Sequence, residues 1–100
     1  MPEIRKTRVF VDWLNGLHDI RASSRILVRI EHLAMSNSGD VKPVGKGVSE
    51  MRIKYGPGYR VYLKSFGNKL IILLAGGDKC SQSGDIKTAL RLMRDLQENK

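Results

Sequence analysis

Cysteine and histidine are scarce in this sequence, which excludes several kinds of site. Cys80 is the single cysteine, so no internal disulfide and no multi-cysteine metal site can form. His18 and His32 have no metal-ligand spacing with each other or with Cys80. The longest apolar run, 70–75, is too short to span a bilayer, and the first residues lack the apolar core of a signal peptide. We therefore expect no metal, no other cofactor, no membrane segment and a reducing cytoplasm.

Acidic residues are also few. The 100 residues include 10 Asp and Glu against 18 Lys and Arg, giving a net charge of +8. The length predicts one domain, 1–100, and the hydrophobic fraction of 41% is sufficient for a single modest core. An excess of positive charge of this size indicates nucleic acid, an anionic surface or an acidic partner.

The excess charge is concentrated in the stretch from Arg52 to Lys79. This stretch contains six of the Lys and Arg residues and one acid, Asp78. A surface with many cations and almost no acid to neutralise them is suited to binding phosphate. A merely solvated outer face is the simpler alternative for the same composition.

Two β-hairpins are predicted here, and their alternation places the cations together. Successive side chains of a strand point to opposite faces, so Arg52 and Lys54 share one face. A hairpin closing over the turn at 56–58 places Lys54 opposite Arg60, and Arg52 opposite Tyr62. Like charges directly opposite are unfavourable, and such conflicts are typical of functional sites. We therefore expect an exposed face of cations and tyrosine without an acid, with Arg60 facing solvent.

The remaining chain predicts helices around this sheet. Apolar residues recur with helical spacing in three segments, and Asp19 and Asp85 are candidate caps of the second and third helices. Residues 3–8 predict a short strand, 41–47 an irregular segment, and 70–74 a strand covered on both faces. The order β-α-α-β-β-β-α predicts an α+β domain with a mostly antiparallel sheet. The helix residues expected to face inward are Phe10, Trp13, Leu14, Leu17, Ala22, Ile26, Ile30, Leu33, Ile86, Ala89, Leu90, Met93 and Leu96.

A cationic face with tyrosine suits one reaction that needs no metal. RNA carries its own nucleophile, the 2′-hydroxyl, which can attack the adjacent phosphate when it is held in line. Arginine and lysine stabilise the negative charge that develops on the phosphoryl oxygens. A lysine among other cations releases its proton more readily, so Lys54 is the first candidate for the general base and Tyr62 the second.

Two blocks of the sequence carry a resemblance to a known family. They are GDVKPVGKGVSEMRIKYGPGYRVYL, 39–63, and LLAGGDKCSQSGDIKTA, 73–89. With them the chain resembles, over essentially its whole length, the RelE/ParE superfamily of bacterial type II toxins, and within it the addiction module killer, HigB-like group. The resemblance implies a RelE-like fold and a toxin that cleaves mRNA in the ribosome, as a metal-independent endoribonuclease.

The resemblance also implies partners and site residues. It implies a cognate helix-turn-helix antitoxin, and a toxin that is either a monomer or part of a toxin–antitoxin heteromer. The family's basic residues match Arg52, Lys54 and Arg60, and Lys79 approximately. The chain has no tyrosine after Tyr62 and no histidine on the sheet, so the family's other catalytic groups are not matched. The lysines expected to bind the RNA backbone are Lys42, Lys46, Lys64 and Lys69.

A second function is compatible with the same resemblance. ParE-like toxins share the fold but inhibit DNA gyrase by binding, without nuclease chemistry. A degenerate copy that only binds its antitoxin is a third alternative. Arg52, Lys54 and Arg60 on one predicted face favour the nuclease.

Overall fold

A five-stranded mixed sheet and three helices make up the part of the chain that the structure describes, residues 2–35 and 39–98 of a computed structural model. None of the helices in this part is long and apolar enough to cross a membrane. The elements in chain order are β1 Glu3–Lys6, α1 Arg8–Asn15, α2 Ile20–Ala34, β2 Val41–Gly45, β3 Val48–Ile53, β4 Tyr59–Phe66, β5 Leu70–Gly77 and α3 Gln82–Glu98.

The predicted α+β class and the order of the predicted elements are confirmed, with one strand added. The segment predicted to be irregular contains β2, which pairs antiparallel with β3 through Val41 and Met51. This strand was not predicted, because Pro43 and two glycines are unfavourable in a strand. Proline is tolerated in β2 because the strand lies at an edge of the sheet, where one side needs no hydrogen-bond donor.

The strands are arranged in the order β1-β5-β4-β3-β2. β1 runs parallel to β5, and the other neighbours are antiparallel. β5 lies between β1 and β4 and has helices on both sides, as its apolar sequence predicted.

The register of the β3–β4 hairpin differs from the prediction by two residues. Arg52 lies opposite Arg60, and Glu50 lies opposite Tyr62, so the connection is the five-residue loop 54–58. A shift of two keeps every side chain on its predicted face, whereas a shift of one would have reversed them all. The predicted faces are therefore correct for the residues within β3 and β4, but the predicted pairs are wrong.

Each face of the sheet has its own core. On one side α1 and α2 pack on Met51, Val61 and Leu73, and all four predicted inward residues of α2 are buried. On the other side α3 packs on Tyr62 and Leu74. The buried residues of the α2 stripe are Ala22, Ile26, Ile30 and Leu33.

The inward residues predicted for α3 are confirmed except at its end. Ala89 and Met93 are buried, and Ile86 and Leu90 are partly buried. Leu96 is 41% exposed, because the apolar contacts of α3 with the sheet end at Met93.

Local capping explains where α1 and α2 begin. Thr7 Oγ1 accepts a hydrogen bond from Phe10 N and donates one to the Leu74 carbonyl at 2.6 Å, which ties α1 to β5. Asp19 Oδ1 accepts from the backbone of Arg21 and Ala22, as predicted for the cap of α2.

Candidate functional site

Two guanidinium groups lie side by side near the end of the β3–β4 hairpin. Arg52 on β3 and Arg60 on β4 are directly opposite each other on the face of the sheet that carries α3. Like charges in this position are unfavourable unless each has a partner of opposite sign. The structure supplies such a partner for both arginines.

Arg60 is held from two directions. Its Nη1 donates a hydrogen bond of 3.1 Å to the Gly58 carbonyl, and its Nε lies 3.6 Å from Glu50 Oε1. The side chain is only 11% exposed, so the expectation that Arg60 faces solvent is wrong. Because α3 covers this face of the sheet, the guanidinium is largely removed from water.

Glu50 is a fully buried carboxylate that joins three elements. Its Oε2 accepts from Tyr62 on β4 at 3.0 Å and from Gln82 Nε2 on α3 at 2.9 Å. Its Oε1 accepts no hydrogen bond from residues 2–35 and 39–98, and its ion-pair partner is Arg60. A buried charge requires such pairing, so Glu50 fixes the position of Arg60.

Glu50 was not predicted as a site residue, although the sequence contains a signal for it. Glu50 precedes Arg52 by two residues and so shares its face of the strand. Extending the alternation by one step would have placed an acid among the cations.

Tyr62 does not occupy the exposed position that was predicted for it. The side chain is completely buried and donates its hydroxyl hydrogen to Glu50. Burial, and then the negative charge of Glu50, raises the pKa of Tyr62 well above its ordinary value. A phenol in this setting stays protonated and out of contact with substrate, so it serves as a structural hydrogen-bond donor.

Arg52 is more accessible than Arg60. Its side chain is 41% exposed, and its Nε lies 3.6 Å from Asp40 Oδ2. With Asp40 and Glu50 in place, each arginine has an acidic neighbour. The prediction of a face without an acid is therefore wrong. It rested on the composition of residues 52–79, and both acids precede that stretch.

Lys79 and Lys54 are separated by the fold. Lys79 follows β5 and is exposed. It lies near Arg60, because both side chains approach Gly58: a Cβ at that position would be 4.0 Å from Lys79 Cβ and 3.8 Å from Arg60 Nη1. Lys54 follows the last residue of β3 and lines a groove against α2. The structure thus brings Lys79 to the arginines. Lys54 lies on the opposite side, so the prediction that Arg52 and Lys54 share one face is wrong, because β3 ends at Ile53.

The groove beside Lys54 is itself basic. It has a volume of about 640 Å³ and lies between α2 and the end of β3. Arg25 stacks on the Tyr55 ring at 4.6 Å, and Arg29 Nη1 donates to the Arg52 carbonyl. The remaining lining residues include Ile20, Arg21, Ser24, Val28 and Ile53.

The glycine pair of the AGGDK segment has a packing role. A Cβ on Gly76 would lie 2.2 Å from Trp13 Cε3, and one on Gly77 would lie 1.7 Å from Asp85 Oδ2. Because these two residues have no side chain, α1 can pack closely on one face of β5 and α3 on the other. Asp85 was predicted to cap α3, but the helix begins at Gln82, and the carboxylate of Asp85 packs over Gly77 instead.

The four lysines predicted to bind RNA are distributed over one half of the sheet. Lys46 lies in the β2–β3 turn. The ammonium group of Lys64 lies beside Gly47 of the same turn, since a Cβ at Gly47 would be 2.7 Å from Lys64 Nζ. Lys42 is exposed on β2, and Lys69 is exposed in the β4–β5 turn at the same end of the strands. Lys46, Lys64 and Lys69 lie toward the opposite end of β3 from Arg52, whereas Lys42 is the strand partner of Glu50, so the four lysines form no single cluster.

The two histidines and the single cysteine are all exposed. His18 is exposed in the connection between α1 and α2, and His32 is exposed on α2. Cys80 is an exposed free thiol in the loop before α3. Within the described residues, no three histidine, cysteine or acidic side chains come together as metal ligands.

Comparison with known proteins finds a relative that matches nearly the whole chain. No family model matches the chain, and no solved structure matches it. The chain is 47% identical over 94 residues to an uncharacterized protein of Haemophilus influenzae, an alignment that covers 94% of this chain and 95% of that protein. Identity at this level over nearly the full length of both proteins shows that the chain belongs to the same family as the Haemophilus protein.

Proposed function

We propose that this protein is a RelE-like toxin of a type II toxin–antitoxin module that cleaves mRNA as a metal-independent endoribonuclease. The proposal rests on the resemblance of the blocks 39–63 and 73–89 and on the cations at the end of the β3–β4 hairpin. The observation that carries it is Arg60, held on the buried carboxylate of Glu50 beside the more exposed Arg52.

This arrangement supports electrostatic catalysis. A guanidinium that is already oriented stabilises developing phosphate charge without reorganisation when the reaction occurs. Its Nη1 donates to Gly58, its ion pair with Glu50 is through Nε, and 11% of the side chain remains exposed. Arg52 supplies a second, more exposed guanidinium on the neighbouring strand.

Proton transfer is assigned to Lys79, which is exposed and lies next to Gly58 beside the arginines. Lys54, the first candidate for the general base, lines the groove on the side of α2 and has no part in this scheme. Tyr62 is withdrawn as a base because it is buried and bonded to Glu50. In this scheme Lys79 accepts the proton of the 2′-hydroxyl and then donates it to the leaving 5′-oxygen.

The proposed partners are those of the toxin class. Translated mRNA in the ribosome is the substrate, and a helix-turn-helix antitoxin neutralises the toxin, which we expect to act in the cytoplasm. ParE-like inhibition of DNA gyrase is the competing proposal. The neutralised arginines give it some support, because paired cations are sufficient for binding without chemistry.

The decisive experiment compares transcript ends in cells. Arg60→Ala is a poor test variant because it leaves Glu50 buried without its cation. Exposed Lys79→Gln and Arg52→Gln avoid this difficulty, and Arg5→Gln at β1 is the matched control.

New in-frame cuts in translated messages within minutes of induction are expected for the wild type and the control. The cuts are expected to be absent or rare in the two site variants. Intact transcripts together with loss of DNA supercoiling would overturn the nuclease proposal in favour of gyrase inhibition.

A further inference from the structure

A second cationic surface lies along α3. Lys87, Arg91 and Arg94 recur at i, i+4 and i+7, which places them on one side of the helix, and all three are exposed. Lys46, from the β2–β3 turn, lines the same groove of about 410 Å³. We call these four residues the α3 surface.

Lys46 is held in an unusual backbone conformation. Gly45 pairs with Val48, so the hairpin turn contains only Lys46 and Gly47, with φ of 50° and 81°. Two-residue turns with both φ angles positive favour asparagine or glycine at the first position. Lysine is disfavoured there by its Cβ, and strained residues of this kind concentrate at functional sites.

The α3 surface carries little opposing charge. None of the described residues that line its groove is acidic. Asp95 lies 3.8 Å from Arg94 Nε, but both side chains are largely exposed and such pairs interact weakly. Lys64, whose Nζ lies beside Gly47, adds a further positive charge. The surface is therefore strongly attractive to a polyanion.

We propose that the α3 surface binds the sugar–phosphate backbone of single-stranded RNA outside the proposed cleavage site. The rise of the helix separates Lys87 from Arg91 by about 6 Å and Arg91 from Arg94 by about 4.5 Å along its axis, which forms a row of cations. α3 starts beside Gly77, the strand partner of Arg60. RNA lying along α3 would therefore lead toward the arginines.

The lining of the groove favours nucleic acid over a protein segment. Its apolar part consists of Leu90, which is half-buried, and Met93, which is 3% exposed. An amphipathic peptide would find little apolar surface to bury here, whereas phosphate needs only the cations. The inference rests on the proposed function in taking RNA as the ligand, but it concerns binding and not cleavage.

The test measures how RNA binding depends on salt. Fluorescence anisotropy of fluorescein-labelled oligouridine is recorded over a series of KCl concentrations for the wild type and for Lys87→Gln/Arg91→Gln/Arg94→Gln. Each phosphate contact on a single strand contributes about 0.7 to the slope of log K against log salt, so loss of three contacts reduces the slope by about 2.

The matched control removes the same charge elsewhere. Arg5→Gln/Lys6→Gln/Arg8→Gln changes exposed side chains of β1 and the first residue of α1, and β1 lies at the opposite edge of the sheet from β2. We expect its slope to stay close to that of the wild type. An equal change in both triple variants would show a general effect of net charge and overturn the inference.

A single substitution separates binding from folding. Lys46→Asn places the preferred residue in the turn, so the melting temperature is expected to rise while the affinity for oligouridine falls. Loss of structure cannot produce this combination. Unchanged affinity in both Lys46→Asn and the α3 triple variant would overturn the inference.

The remaining outcomes distinguish this inference from the proposed function. Weaker oligouridine binding by the α3 triple variant, with no cleavage even by the wild type, contradicts only the nuclease. Cleavage with unaltered binding by the triple variant contradicts only the α3 surface. Reduced binding to phosphatidylserine vesicles with unaltered RNA binding would assign the surface to membranes and overturn the inference.

Discussion

The two faces of the sheet are built on different principles. The face covered by α1 and α2 is an apolar core in which the stripe of α2 meets alternating residues of β3, β4 and β5. The face covered by α3 places Glu50, Arg60 and Tyr62 among fewer apolar residues. The first face stabilises the fold by burying apolar side chains. On the second face, part of the buried area is taken by polar groups that orient a cation.

This difference shows where the candidate chemistry can lie. A buried ion pair is weak evidence for stability, because desolvation offsets the attraction of the charges. The pair of Glu50 and Arg60 is better explained by the need to hold a guanidinium in one orientation at the open end of the sheet. Among the residues that the structure describes, the buried charged side chains are Glu50 and Arg60, and both lie on the face covered by α3.

The largest effect is expected from breaking the polar face. Arg60→Ala should lower the free energy of unfolding by about 3–5 kcal/mol, because the Glu50 carboxylate stays buried without its cation. Urea denaturation measures this loss. Arg60→Met/Glu50→Gln, which removes both charges, should recover most of it. A loss below about 1 kcal/mol in Arg60→Ala would mean that Glu50 is not held as a charged group.

Truncation of the apolar face tests whether the two cores are independent. Ile26→Ala should cost about 2–5 kcal/mol through lost burial and a cavity. Effects at separated sites add to within about 0.5 kcal/mol, so combining Ile26→Ala with Tyr62→Phe should give the sum of the two losses in urea denaturation. A clearly non-additive result would contradict the separation of the two faces.

The adjacent glycines allow the faces to be compared at neighbouring positions. Gly77→Ala should destabilise by about 1–3 kcal/mol because its Cβ meets the Asp85 carboxylate. Asp85→Ala in the same chain should relieve the loss, as followed by thermal unfolding. Gly76→Ala is the matched variant on the other face, where Trp13 is the obstacle. Rescue of Gly76→Ala by Asp85→Ala would contradict the assignment of the faces.

The smallest effect is expected from the tyrosine hydroxyl. Tyr62→Phe removes one hydrogen bond to Glu50, which Gln82 still satisfies, and should cost about 0.5–1.5 kcal/mol. RNA cleavage should persist, since Tyr62 is buried. Loss of cleavage in a folded Tyr62→Phe protein would restore Tyr62 as a catalytic candidate.

The raised pKa of the Tyr62 hydroxyl predicts that the stability of the fold decreases at alkaline pH. The pKa of Tyr62 is raised in the folded protein by burial, so this group keeps its full contribution below about pH 10, where the unfolded phenol is protonated. Above that pH the unfolded chain loses the proton first, and stability falls. Urea denaturation above pH 10 should show a smaller decline in Tyr62→Phe. An identical decline would contradict the raised pKa.

Much of the architecture was predictable because it depends on neighbours in the chain. The α2 stripe, the cap at Asp19, the turn near 56–58 and the buried strand β5 all follow from local spacing. β2 was missed because Pro43 and the glycines argue against a strand. Only its pairing with β3 at an edge makes the extended conformation favourable.

The site was predicted less well, for a related reason. Alternation correctly placed Arg52, Arg60 and Tyr62 on one face of the sheet. It did not show that α3 covers that face, and therefore Arg60 and Tyr62 were expected to be exposed. The cations of α3 were also missed, although their spacing at i, i+4 and i+7 is visible in the sequence.

The sequence by itself determined the class of fold, the apolar faces of the elements and the excess of positive charge in the hairpins. Periodicity and composition are properties of short segments, so no distant contact is needed to read them. The tertiary structure decided the hairpin register, the pairing of Arg60 with Glu50, the separation of Lys54 from Lys79 and the packing of Asp85 over Gly77. These depend on contacts between residues far apart in the chain, whose energies are set only when the sheet and helices pack together.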